Sequence, residues 1–111
     1  MRRSLLLFAA VALALALAWA LPAQAQDAQA GRQKAQACAV CHGPLGIASA
    51  PDAPNLAGQP EVYLAAQLRA YRDGARKHEV MSVMAKPLSD ADIASLAAWF
   101  ASIKVEAQAP R

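Results

Sequence analysis

Cys38-Ala39-Val40-Cys41-His42 is the most informative segment of this sequence. The two cysteines lie on the same side of a helical turn, because residues three or four apart share one helix face. Their thiols can therefore reach the two vinyl groups along one side of a porphyrin and form thioethers. The imidazole of His42 follows directly and can bind the iron as the proximal ligand. The pattern C-x-x-C-H is typical of covalent haem c attachment.

Three other kinds of site share part of this pattern. A thioredoxin-like redox pair lies at the start of a helix after a strand, and no strand is predicted before Cys38. A zinc site needs two further ligands, whereas the sequence offers no other cysteine and only one other histidine, His78. A disulfide between Cys38 and Cys41 would be strained and would close almost no loop. We therefore favour the haem site.

Residues 1–25 have the three zones of a secretory signal. Arg2 and Arg3 give a basic start, residues 5–21 are a continuous apolar run, and Ala23-Gln24-Ala25 is a small-x-small cleavage site. We expect cleavage after Ala25, which leaves a mature domain of residues 26–111 in the periplasm. The alternative is that the apolar run stays as a membrane anchor. Export is compatible with haem attachment, because c-type maturation takes place outside the cytoplasm.

Charge and composition argue against several functions. The formal net charge of the chain is +3, and removal of Arg2 and Arg3 with the signal leaves about +1. The sequence has no cluster of basic residues of the kind that binds nucleic acid. We find no nucleophile–base pair, phosphate loop or paired carboxylates, and we expect no enzyme activity. The mature domain has few large apolar side chains, and so small a domain usually needs disulfides, a metal or another cofactor for stability.

The attachment motif lies between a predicted helix and a long loop. The helix is predicted over residues 28–40 with Asp27 as its N-cap, although Gly31 weakens it. Residues 43–58 contain three glycines and three prolines and are predicted to form a loop. Loops of this length in a small domain are usually functional or wrap around something.

Two further helices are predicted after this loop. One starts at Pro60, a favourable first-turn residue, and ends at Gly74. The next begins at Ser89, which forms a capping-box pattern with Asp92. Residues 75–88 between them are predicted to be mostly irregular. No strand alternation occurs, so the pattern predicts an all-α domain.

Methionine is a common sixth ligand of haem iron in electron carriers, and it raises the reduction potential. Outside the signal, the methionines are Met81 and Met84, and both lie in the segment predicted to be irregular. Either one could instead fill space in the core, which is the usual role of methionine. His78 is a third possible ligand, but charged neighbours favour a solvated surface position for it.

From residue 29 to 103 the sequence resembles the class I cytochromes c, in particular the short bacterial periplasmic mono-haem type and the single halves of its di-haem relatives. Besides the motif and Gly43, the matching pieces are Pro54-Asn55-Leu56-Ala57-Gly58-Gln59, Tyr63-Leu64, Gln67-Leu68, Gly74-Ala75-Arg76, Met81, Ala85, Leu88-Ser89, Asp92-Ile93 and Leu96-Ala97-Ala98-Trp99-Phe100. The resemblance implies a small all-α cytochrome c fold, with three main helices and loops wrapped around one haem bound through Cys38 and Cys41.

The resemblance also implies roles for individual residues. Met81 lies where the family has its axial methionine, so we expect His42 and Met81 to bind the iron. The carbonyl of Pro54 matches the acceptor for the second nitrogen of the proximal histidine, a contact that would orient the ring. Gly31 matches the small residue at which the first helix crosses the last. Arg76 matches a recurrent position, either as a haem propionate partner or as a surface charge.

The function implied is one-electron transfer to and from redox proteins that the sequence does not identify. With both axial positions filled, substrate chemistry at the iron is not expected. Two alternatives stay open: a haem-based sensor that binds a small ligand, and a dedicated cytochrome subunit of an oxidoreductase complex. We expect a monomer that meets membranes only through membrane-bound partners or an uncleaved signal.

Overall fold

Residues 23–111, which the computed structural model describes, form five α-helices, one 3₁₀ turn and no strand. The elements are α1 (Ala23–Lys34), the 3₁₀ turn (Ala35–Ala37), α2 (Ala39–His42), α3 (Glu61–Asp73), α4 (Met81–Ala85) and α5 (Asp90–Ser102). The prediction of an all-α fold is confirmed. The predicted signal lies almost wholly outside the described residues, so its cleavage stays a prediction. Within residues 23–111, no helix has the length and apolar character that crossing a bilayer requires.

Helix α5 is the centre of the fold, because both α1 and α3 pack against it. The buried core consists mainly of small and medium-sized side chains: Ala35, Leu64, Ala65, Ile93, Leu96, Ala97 and Phe100. At the crossing of α1 and α5, a Cβ atom on Gly31 would lie 1.9 Å from the backbone oxygen of Ser95 and 2.8 Å from Cβ of Trp99. The helices approach this closely only because residue 31 is glycine, which confirms its predicted place at the crossing.

The first helix begins earlier than the sequence predicts, and it is not uniform. Asp27 is not the N-cap, because it lies inside α1. Alanine and glutamine are good helix formers, so the segment before Asp27 continues the helix. At the other end the chain tightens into a 3₁₀ turn, in which the backbone N–H of Cys38 donates to the carbonyl of Ala35 at 3.0 Å.

The boundaries of α3 and α5 follow the predicted signals closely. Pro60 is the N-cap of α3, one residue before the first helical position, and Gly74 ends the helix in the left-handed conformation. At α5, Ser89 Oγ accepts from the backbone N–H of Asp92, and Asp92 Oδ2 accepts from the backbone N–H of Ser89, both at 3.0 Å. The capping box is therefore confirmed.

The segment 75–88 is more ordered than the sequence predicts, because it contains α4. This helix is only five residues long, and its last residue, Ala85, is fully buried. Helices of this length are not stable alone, so α4 depends on packing against α3. Sequence periodicity over one turn does not reveal such a helix.

Candidate functional site

The attachment motif lies where the first helical run ends. The backbone N–H groups of Cys41 and His42 both donate to the carbonyl of Cys38, at 3.3 and 3.0 Å, so the motif forms one tight helical turn. Gly43 then ends α2 at a φ of 76°, and a Cβ atom there would lie 1.9 Å from the backbone oxygen of Ile47. Glycine is therefore required directly after His42, where the chain turns into the loop.

Both cysteines are half-buried, and neither forms a disulfide. Burial raises the pKa of the Cys38 thiol, because an apolar surrounding disfavours the charged thiolate. A thioether is neutral, so this apolar surrounding suits a sulfur that ends as a thioether better than one that must act as a thiolate. The environment of Cys38 thus fits covalent attachment and argues against a reactive redox thiol.

The imidazole of His42 is buried, with 6% of its surface exposed. Its Nδ1 lies 2.8 Å from the carbonyl oxygen of Pro54. A carbonyl can only accept a hydrogen bond, so Nδ1 carries a proton, and in the neutral imidazole Nε2 is then the nitrogen with the lone pair. An imidazole held in this tautomer by its second nitrogen is the usual form of a histidine that binds a metal.

An apolar cleft of about 210 Å³ lies between the motif and α4. Its lining comprises Lys34, Ala37, Cys38, Leu68, Met81, Met84, Ala85, Leu88 and Leu96. The candidate ligand Met81 thus lines the same cleft as the attachment cysteine Cys38. Met84, one helical turn further, lines the same cleft but is 41% exposed, whereas Met81 is half-buried. Cys41 and His42 are not among the lining residues.

Two other residues singled out in the sequence lie outside this cleft. The guanidinium of Arg76 stacks 4.7 Å from the ring centre of Tyr71 and donates to Gln67 Oε1 at 2.6 Å. His78 is exposed and lines a separate open groove beside Tyr71 and Arg72. The structure therefore does not bring His78 to the cleft as a candidate iron ligand, and it gives Arg76 contacts on α3.

The turn that precedes α4 is a feature that sequence reasoning missed. The backbone N–H groups of Val80 and Met81 both point at Nδ1 of His78, and the N–H of His78 points at Oγ of Ser82. The only signal in the sequence is a pair of polar side chains four residues apart, which is too common to single out. These bonds hold the backbone of Met81 at the edge of the cleft.

Comparison with known proteins agrees with this geometry. The family model "Cytochrome c" matches residues 28–104. Cytochrome c-554(548) of Halomonas halodenitrificans is 48% identical over 81 residues, which cover 70% of this chain and 98% of that protein. The thiosulfate dehydrogenase electron acceptor of Thiomonas intermedia is 50% identical over 72 residues, which cover 64% of this chain and 33% of that protein.

A solved structure shows the same fold. Reduced recombinant cytochrome c4 from Pseudomonas stutzeri superposes with a TM-score of 0.65 at 42% identity, over 69% of this chain and 45% of that one. The chain therefore spans almost all of one relative but less than half of two others. It belongs to the cytochrome c family. It is a class I c-type cytochrome, an electron carrier that binds haem c covalently, and its half-buried cysteines, buried imidazole and apolar cleft fit that group.

Proposed function

We propose that this chain is a one-electron carrier with a single haem c, attached through Cys38 and Cys41 and bound at its iron by His42 and Met81. The observation that carries the proposal is the hydrogen bond from His42 Nδ1 to the Pro54 carbonyl, together with the presence of Met81 in the cleft that Cys38 also lines. A single haem is proposed because the sequence contains only two cysteines, enough for one attachment motif.

When bound, the haem supplies the ferric–ferrous couple. The protein contributes orientation, ligation and exclusion of water. The Pro54 carbonyl holds the His42 ring in one tautomer and makes Nε2 a better donor to the metal. A thioether ligand favours the ferrous form and raises the reduction potential. The apolar lining of the cleft, including the buried Leu96, disfavours the extra charge of the ferric state in the same direction.

Met81 and Met84 both line the cleft, and we propose Met81 as the ligand. Met81 is the more buried of the two, and it occupies the position implied by the resemblance to class I cytochromes c. An iron ligand has to be withdrawn from water, whereas an exposed thioether would have to rotate inward at the expense of its rotamer freedom. Filling both axial positions leaves the iron without a site for substrate, which supports electron transfer without enzyme activity.

The test compares Met81→Leu with Met84→Leu, a matched pair that differs only in position. We expect Met81→Leu to lose the thioether-to-ferric-iron absorption band, to lower the reduction potential and to bind carbon monoxide rapidly when reduced. Met84→Leu should keep the band and stay within the wild-type range of potential. The opposite pattern would assign Met84, and rapid carbon monoxide binding by the wild-type protein would favour a ligand-binding sensor.

We also propose that residues 1–25 are a signal peptide and that residues 26–111 act in the periplasm as a monomer. The apolar run and the cleavage pattern at Ala25 support the signal peptide and the periplasmic location, as does the need for haem attachment outside the cytoplasm. The intact mass of holoprotein from a c-type maturation host decides between a cleaved and an anchored form. Donor and acceptor are redox proteins met in weak, brief encounters, and copurification from native extracts separates a free carrier from a fixed subunit.

A further inference from the structure

The turn before α4 is closed by hydrogen bonds in both directions. Nδ1 of His78 accepts from the backbone N–H groups of Val80 and Met81, at 3.2 and 3.3 Å. In return, the backbone N–H of His78 donates to Ser82 Oγ at 3.0 Å. The carbonyl of His78 accepts from the N–H of Ser82, also at 3.0 Å. His78 therefore satisfies N–H groups at the start of α4 in the way that an N-cap side chain does.

These bonds act directly on the backbone of Met81. Met81 is the first residue of α4, and its own N–H is one of the two that His78 accepts. The helix is five residues long and is anchored at its other end by the buried Ala85. A segment this short does not hold its conformation by helix propensity. The backbone from which the Met81 side chain enters the cleft is thus fixed by packing at one end and by His78 at the other.

We propose that His78 is a positioning residue for Met81: its imidazole holds the turn before α4 in the conformation that directs the Met81 thioether into the haem cleft. The inference rests on the proposed ligation by Met81. It also gives a role to a histidine that lies outside the cleft, since the His78 side chain lines the groove beside Tyr71 and Arg72.

The acceptor atom, not the imidazole as such, should matter, so the test compares substitutions that remove or keep an acceptor. His78→Ala removes the acceptor, whereas His78→Asn supplies a side-chain oxygen that is among the best N-cap acceptors. Lys77→Ala is the control for loss of an exposed side chain in the same loop. In each holoprotein, titration of the ferric form with added imidazole measures how readily the Met81–iron bond opens, because imidazole binds only when the thioether has left.

We expect His78→Ala to bind imidazole about fivefold more tightly than the wild type, which corresponds to about 1 kcal/mol, the size of a lost N-cap. His78→Asn and Lys77→Ala should stay close to the wild-type affinity. Ser82→Ala, which removes the return bond, should shift the affinity in the same direction as His78→Ala. The Ser82 variant keeps the inference testable even if His78→Ala folds poorly, as judged by circular dichroism.

Equal imidazole affinities for His78→Ala and Lys77→Ala would overturn the inference, and so would an Asn variant as loose as the Ala variant. Failure of the proposed function looks different. If Met81 does not bind the iron, Met81→Leu keeps the thioether absorption band and the wild-type imidazole affinity. The positioning role fails on its own when Met81→Leu abolishes the band but the His78 variants behave like the control.

Discussion

Substitution of Gly31 by alanine perturbs the helix crossing that holds the attachment motif against the rest of the protein. The added Cβ would lie 1.9 Å from the backbone oxygen of Ser95, whereas ordinary contacts of a Cβ atom begin at about 3.4 Å. The gap between α1 and α5 would therefore have to widen locally by up to about 1.5 Å, the difference between these distances. Because the opposing atom belongs to the backbone of α5, no side-chain rotation can relieve the overlap.

Two effects of opposite sign determine the outcome. Alanine is favoured over glycine in a helix interior by about 1 kcal/mol. Overpacking of a tight interior contact costs about 1–3 kcal/mol, and a backbone overlap of this depth belongs at the upper end of that range. We therefore expect Gly31→Ala to lower the free energy of unfolding by about 1–2 kcal/mol, even though helix propensity alone predicts a gain.

The holoprotein is unfolded with guanidinium, and far-ultraviolet circular dichroism monitors the transition. Variants are compared at a shared m-value, which is the slope of the unfolding free energy against denaturant concentration. The matched control is Ala30→Gly, at the neighbouring exposed position of α1. That variant should lose about 1 kcal/mol through propensity alone. If Gly31→Ala is as stable as the wild type or more stable, the close approach of α1 and α5 does not limit this position, and the reasoning from the crossing is refuted.

Two further predictions concern the start of α5. Ser89→Ala should lower the free energy of unfolding by about 1 kcal/mol, since Ser89 Oγ accepts from the Asp92 N–H at 3.0 Å. The control Ser89→Asp should leave the stability nearly unchanged. If Ser89→Ala is as stable as the wild type, water replaces the cap. The ammonium of Lys34, 2.9 Å from Asp92 Oδ1, and hydrogen bonds at Ser89 lower the pKa of the Asp92 carboxyl. Because the pKa of the Asp92 carboxyl is lower in the folded than in the unfolded protein, its ionised form stabilises the fold at pH values above the ordinary carboxyl pKa. This contribution is lost as the pH falls through the folded-state pKa. Asp92→Asn should therefore be less stable than the wild type at neutral pH, and the difference in urea midpoint should shrink below about pH 4; a difference independent of pH would contradict the ion-pair argument.

The features that can be predicted from the sequence are those that depend on neighbours along the chain. The capping box of Ser89 and Asp92 needs only four consecutive residues, and the stop at Gly74 needs only one. The C-x-x-C-H turn is equally local. Only the family resemblance places Gly31 at a helix crossing, because a glycine in a helix does not by itself say which helix it meets. The structure supplies the partner, Ser95.

The features that cannot be predicted depend on contacts between distant segments. Helix α4 exists because Ala85 is buried and the turn at His78 is capped, and a five-residue stretch has no periodicity that reveals either fact. The place of Asp27 inside α1 is a different case. Asp27 has the residue type of an N-cap, but in the uncleaved chain good helix formers precede it, and propensity over several residues outweighs one capping side chain.

The two proposed axial ligands lie in segments that the rest of the fold holds to different degrees, His42 more firmly than Met81. His42 is held by the Pro54 carbonyl, and the loop beyond it returns to the motif, where the N–H groups of Ser49 and Ala50 both donate to the carbonyl of Cys41, at 3.0 and 3.1 Å. Met81 begins a five-residue helix whose first turn depends on an exposed side chain. Local opening should thus reach Met81 well before His42. On the proposed ligation, binding of the sixth ligand to the iron depends on the turn over residues 78–82, which positions Met81, as much as on the thioether itself.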